Sequence, residues 1–209
     1  MQANRRRVTT RRARQTLVWV HVLSSVSWMS QALALFVLLS DRTAASSAAA
    51  HLLDTTVLVL SANTSAMTGF LLAATTTWGF FLHWWVLVKF VITVGQLVVG
   101  IVILSPNLNA AGAQPHPMLV AGTVVMASLI AVQALLSITK PWGRVPGRPG
   151  KPAPTADAVV IAAPIAVLAD IGIFLVIGQP IPACSFVVLI AGLVTRRAGR
   201  PGRRLPVAA

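Results

Sequence analysis

Long apolar runs, each punctuated by blocks of basic residues, constrain this chain more than any other feature. Leu17 to Leu39, Leu52 to Ala74, Trp84 to Leu104 and Met118 to Thr139 are all sparing in charge. Each has the length of about 20 residues that a helix needs to cross a hydrocarbon core of about 30 Å. A chain of 209 residues that is 56% hydrophobic and 10% charged cannot hide that much apolar surface in a water-soluble core. Lipid is therefore part of its solvent. The expected fold is all-α: a polytopic transmembrane helix bundle.

Charge gives the orientation. Seventeen Lys and Arg against four Asp and Glu leave a formal net charge of +13. In a soluble chain that balance would suggest nucleic acid, but no aromatic stacking platform accompanies the cations, and they sit at the ends of apolar runs. Arg5, Arg6, Arg7, Arg11, Arg12 and Arg14 precede the first run, Lys140 to Lys151 follow the fourth, and Arg196 to Arg204 close the chain. This is the positive-inside pattern, with anionic lipid headgroups as partners and no nucleic acid. Arg far outnumbers Lys, Tyr is absent and Ala and Val are abundant, a usage typical of bacteria with GC-rich genomes, so the expected location is a bacterial inner membrane. The first run is too long for a signal-peptide core of about 7–15 residues and no soluble domain follows it, so Thr10-Arg11-Arg12 and Ala48-Ala49-Ala50 are not read as an export signal. Cys184 is the only cysteine, which excludes an internal disulfide.

These signals divide the chain into a basic cytoplasmic tail (1–16), a four-helix transmembrane bundle (17–139), a basic Pro/Gly linker (140–156), a C-terminal transmembrane hairpin (157–195) and a second basic tail (196–209). The hairpin joins Ala158 to Ile177 with a shorter run, Ala183 to Thr195, through Gly178-Gln179-Pro180-Ile181-Pro182. The last run reaches only about 20 Å at 1.5 Å per residue, so a thin, tilted or re-entrant helix is expected there. Counting it as a crossing gives six spans with both termini cytoplasmic, which returns the C-terminal arginines to the side of the N-terminal ones.

Two stretches carry a resemblance: His21-Val22-Leu23-Ser24-Ser25-Val26-Ser27-Trp28 in the first run, and Thr68-Gly69, Thr77-Trp78-Gly79, His83-Trp84-Trp85-Val86 and Lys89 across the second and third. Together with Lys140-Pro141-Trp142-Gly143-Arg144 they resemble an uncharacterised family of four-helix bacterial integral membrane proteins, over about residues 15 to 145. A His and Trp on the first helix, then Thr-Gly and a Lys-bearing helix, is also distantly similar to copper-resistance membrane proteins of the CopD type. The first resemblance implies a fold; the second implies a metal.

The polar residues fall in stripes. His21, Ser24, Ser25, Trp28 and Gln31 recur at helical spacing, as do Ser61, Ser65, Gly69 and Ala73, then Lys89, Thr93, Gln96 and Gly100, then Gln133, Ser137 and Lys140. Interhelical hydrogen bonding and close packing are the ordinary roles of such stripes. Counted at 1.5 Å per residue, His21, Thr68, His83, Lys89 and Gln133 all lie within about 10 Å of the cytoplasmic boundary. They form, with Ser25, Trp28 and Asp170, the candidate polar cluster. His21 and His83 could supply imidazoles to haem or copper; His83 beside two tryptophans equally suits the interface, and Lys89 can snorkel to it. On the opposite side His51, His116 and Met118 are candidate copper ligands. Asp170, near the middle of the fifth span, is either a hydrogen-bonded packing residue or a proton-handling group.

No phosphate loop, nucleophile elbow or metalloprotease helix occurs. Two functional classes remain. One is a binding, accessory or transport subunit with a membrane or cytoplasmic partner protein, or further copies of itself. The other is a membrane-embedded oxidoreductase or copper- or haem-handling protein built on His21 and His83. Broken helices would favour a transporter, and Gly178 to Pro182 is one such break, although the two halves show no internal symmetry.

Overall fold

The computed structural model describes residues 2–110, 116–147 and 154–198, with the side chains of residues 2–6 and 198 left aside. Pro115, Arg148, Lys151, Arg200, Arg203 and Arg204 lie outside the described residues. The helices are α1 (Gln2–Asp41), α2 (Ala44–Thr75), α3 (Trp84–Ala110), α4 (Pro117–Thr139), α5 (Asp157–Ile177) and α6 (Ala183–Ala198). The first five are long and apolar enough to cross a membrane. At 16 residues α6 reaches about 24 Å, short of the core thickness. The arginine-rich segment before residue 17 is the start of α1 itself, which runs unbroken for 40 residues.

Helix α1 is the axis of the bundle. Its Leu17 packs with Met67, Leu71 and Ala74 of α2, Ala163 and Val167 of α5 and Leu189 of α6. Midway, Trp28 meets Ala62 and Ile130, and Ala32 meets Met126 and Ala127. At the far end Leu35 and Leu39 pack with Ala50, Leu108 and Leu119. The other face of α1, with Val22, Leu23, Val26, Leu33 and Val37, is exposed, as a lipid-facing surface requires.

Two helices are locally widened into π-helical turns, Asp54–Leu58 in α2 and Gly100–Leu104 in α3. In α2 the hydroxyls of Thr55 and Thr56 donate to the carbonyls of His51 and Leu52, competing for acceptors that the next turn would otherwise use. In α3 Pro106 has no N–H to offer the regular ladder, and the Ser105 amide reaches back to Gly100.

Cations close one end of the bundle. The last carbonyls of α2 have no partners within their own helix, and they sit at its negative pole. Arg14 donates to the Thr75 carbonyl, and Arg196 donates to those of Thr76 and Ala73 and to the Thr155 hydroxyl at 2.7 Å. The start of α1, the end of α2, the start of α5 and the end of α6 therefore meet at the same end, where the linker also folds back: the amide of Val145 donates to the Leu82 carbonyl at 3.0 Å.

The hairpin folds back along α5. Helix α5 ends on Gly178, whose φ of 73° lies in the left-handed region that glycine enters without strain. The chain then runs back beside α5 to Asp170, about 20 Å along that helix from Asp157 at 1.5 Å per residue. There Asp170 accepts the amides of Cys184 and Ser185 at 2.9 Å on its two carboxylate oxygens. It caps α6 from another helix, placing a negative group at a positive pole. Pro180 and Pro182 have no donors to satisfy, and Asn63 of α2 donates to the Pro180 carbonyl at 3.4 Å. Asp170→Ala leaves two half-buried amides without acceptors and should lower stability by about 1 kcal/mol, Asp170→Asn by less. The thermal midpoint of the purified variants in detergent reads both.

Candidate functional site

Polar groups line two helix seams and a cavity between them. In the α1–α2 seam, His21 Nδ1 lies 3.0 Å from both the Ser65 carbonyl and the Thr68 hydroxyl. A carbonyl only accepts, so Nδ1 carries the ring proton and Nε2 of the neutral ring keeps its lone pair. Thr68, fully buried, directs its own hydroxyl to the Thr64 carbonyl at 2.6 Å. A Cβ on Gly69 would stand 3.2 Å from His21 Cε1, so the glycine lets the imidazole lie against the α2 backbone. Farther along, the Ser25 and Ser65 hydroxyls pair at 2.7 Å, those of Ser27 and Ser61 at 2.9 Å, and Gln31 Nε2 donates to both of the latter.

The α3–α4 seam holds a relay. Lys89 Nζ donates to Ser137 Oγ at 2.6 Å, and that hydroxyl donates to the Gln133 carbonyl. Thr93 donates to Gln133 Oε1 at 2.8 Å, Gln133 Nε2 to Gln96 Oε1 at 2.6 Å, and Gln96 Nε2 to the Met126 carbonyl at 3.0 Å. The ammonium is thus turned inward onto a hydroxyl.

The relay ends at a cavity of about 100 Å³ bounded by α1, α2, α3 and α4. Trp28, Ala32, Leu35, Leu58, Ala62, Leu97 and Leu104 supply much of an apolar wall into which Gln96, Asn63, Thr123, Asp54 and Ser105 also project. Both π-helical turns belong to it: Asp54 opens one and Ser105 directly follows the other, and the Ser105 hydroxyl donates to Asp54 Oδ2. Ile101, on the same wall, is 63% exposed, so the cavity lies at the lipid-facing side of α3.

The candidate residues thus separate into distinct places. His21, Ser25 and Thr68 share the first seam, Lys89 and Gln133 the second, and Trp28 stands at the cavity. His83 lies in the loop before α3, its Nδ1 3.1 Å from the Trp78 carbonyl and its ring edge-on to the Trp78 indole. The two histidines have different partners, and no contact joins them among the described residues. His116 caps α4, its Nδ1 accepting the Met118 amide at 3.2 Å, while His51 is exposed on α2. Among the described residues no three of His, Cys, Asp and Glu gather as a metal cluster. Asp170 belongs to the hairpin. Asp54, Asn63 and Ser105 join the site without having been candidates; the signal in the sequence is a lone acid inside an apolar span.

Gln96 and Gln133 can be tested as a pair. A double-mutant cycle of Gln96→Leu and Gln133→Leu should return a coupling of about 0.6–1.7 kcal/mol, the range for interhelical hydrogen bonds in membranes, when unfolding is followed in bicelles. Gly69→Ala forces the His21 ring to shift and should lower the thermal midpoint, with His21→Ala in the same chain relieving most of that loss.

Comparison of the chain with protein-family models, with curated proteins and with solved structures finds no match.

Proposed function

We propose that the protein is a multi-pass protein of a bacterial inner membrane that acts as a binding or transport subunit, holding a small, mainly apolar molecule between its first four helices. The cavity of about 100 Å³ carries this reading. A bundle whose helices do nothing but pack gives up dispersion contacts at such a void. Here the void has polar groups on its wall, Gln96 at the end of the Lys89 relay and Asp54 with Ser105, so a molecule inside would find apolar walls and a few fixed hydrogen-bonding groups, the usual make-up of a ligand site. The exposed Arg7, Arg11, Arg12 and Arg197 suit anionic headgroups and a cytoplasmic location for their end of the bundle.

Gly100 provides the test, because a Cβ built on it meets nothing within 4 Å although the residue lines the cavity. Wild-type protein in detergent should bind tert-butylbenzene in a titration corrected against protein-free micelles. Gly100→Leu, filling the space, should lose that binding while keeping a midpoint at or above wild type. Absence of binding to the wild type, or undiminished binding to Gly100→Leu, sinks the reading.

A further inference from the structure

We infer that the molecule taken up by this cavity is a lipophilic cation, an ammonium-type charge on a small hydrophobic body, paired with the Asp54 carboxylate and seated against the Trp28 indole. The inference rests on the cavity being a ligand site and names the class of ligand. Asp54 is the one charged residue on the wall, and it is only 9% exposed. Among the described residues its side-chain hydrogen-bond partner is Ser105, on Oδ2, with none on Oδ1, and no basic side chain lines the space. A carboxylate in so apolar a setting is costly unless a counter-charge or donors compensate it, and one hydroxyl is little compensation.

The rest of the wall decides which cation fits. A metal ion or a small hydrated cation would have to exchange its water for several oxygen ligands, and the wall offers chiefly aliphatic carbon. An organic cation needs no such shell: its hydrophobic part gains from Leu35, Leu58, Ala62 and Leu97, and its charge gains from the carboxylate, with the Trp28 indole on the same wall able to add a cation–π contact. Trp28 is 6% exposed and held between Ala62 and Ile130, so the ring is fixed before a ligand arrives. The π-helical turn that begins at Asp54 places the acid on the cavity wall, and such turns occur frequently at functional sites. The cavity borders the lipid-facing side of α3 at Ile101, and a lipophilic cation is a solute that the bilayer itself can deliver.

Phenyltrimethylammonium and tert-butylbenzene have the same shape and differ in charge, so together they separate the ligand class from the cavity. Titrated into the same detergent-solubilised protein, the cation should bind at least about tenfold more tightly than the neutral isostere, a difference of about 1.4 kcal/mol. Asp54→Asn should abolish that preference while tert-butylbenzene still binds, and Trp28→Leu should weaken the cation more than the neutral probe. Ser105→Ala leaves the carboxylate whole and removes its partner, so it should keep or increase the preference; it carries the test if Asp54→Asn does not fold. Equal binding of the two probes, or a preference unchanged in Asp54→Asn or lost in Ser105→Ala, overturns the cation while leaving the cavity. Binding of neither probe overturns both.

Discussion

Every polar group that enters the apolar part of this bundle has to find its partner within the protein, because lipid offers none. The architecture is largely the set of answers to that demand. Helix α6 begins beside Asp170, and its first amides are met by that carboxylate reached from α5. The non-helical turn before it uses two prolines, which bring no donors, and borrows Asn63 from α2 for one carbonyl. The C-terminal carbonyls of α2 take guanidinium groups from α1 and α6. Since each solution joins one helix to another, backbone satisfaction and tertiary structure are here one problem.

The same demand sorts the side chains. Hydroxyls of Ser24, Ser25, Thr75 and Thr139 bond the carbonyl one turn earlier on their own helix, which removes a polar group from lipid without requiring a neighbour. The buried or half-buried glutamines Gln31, Gln96 and Gln133 cross seams instead. The seams gain orientation more than strength, each such bond being worth well under 2 kcal/mol. Gln31 Oε1 remains a buried acceptor without a partner among the described residues.

The spans, their basic flanks and the shortness of the last helix are legible in the sequence because length and charge are local properties. The depth of His21 and Thr68, and of Lys89 and Gln133, also follows from counting residues, and those pairs do share seams. Which helix faces which does not follow from counting: His83 lies at the expected depth but turns to its own loop. Asp170 reads as an isolated acid in a span, since its meaning depends on a chain reversal that brings residues 184 and 185 beside it. Asp54 reads as a stray charge near a helix start, because a π-helical turn changes which face a residue occupies and side-chain periodicity assumes regular winding.

Each π-helical turn amounts to one surplus residue held in an otherwise continuous helix. An α-helix advances about 100° per residue, so taking up that surplus by regular winding would rotate everything beyond it by that angle relative to the rest. Asp54 and Ser105, joined across the cavity, adjoin one such surplus each. Their bond therefore also sets the angular register between the two ends of α2 and of α3: as long as acid and hydroxyl are clasped, neither helix can rewind without tearing that clasp apart.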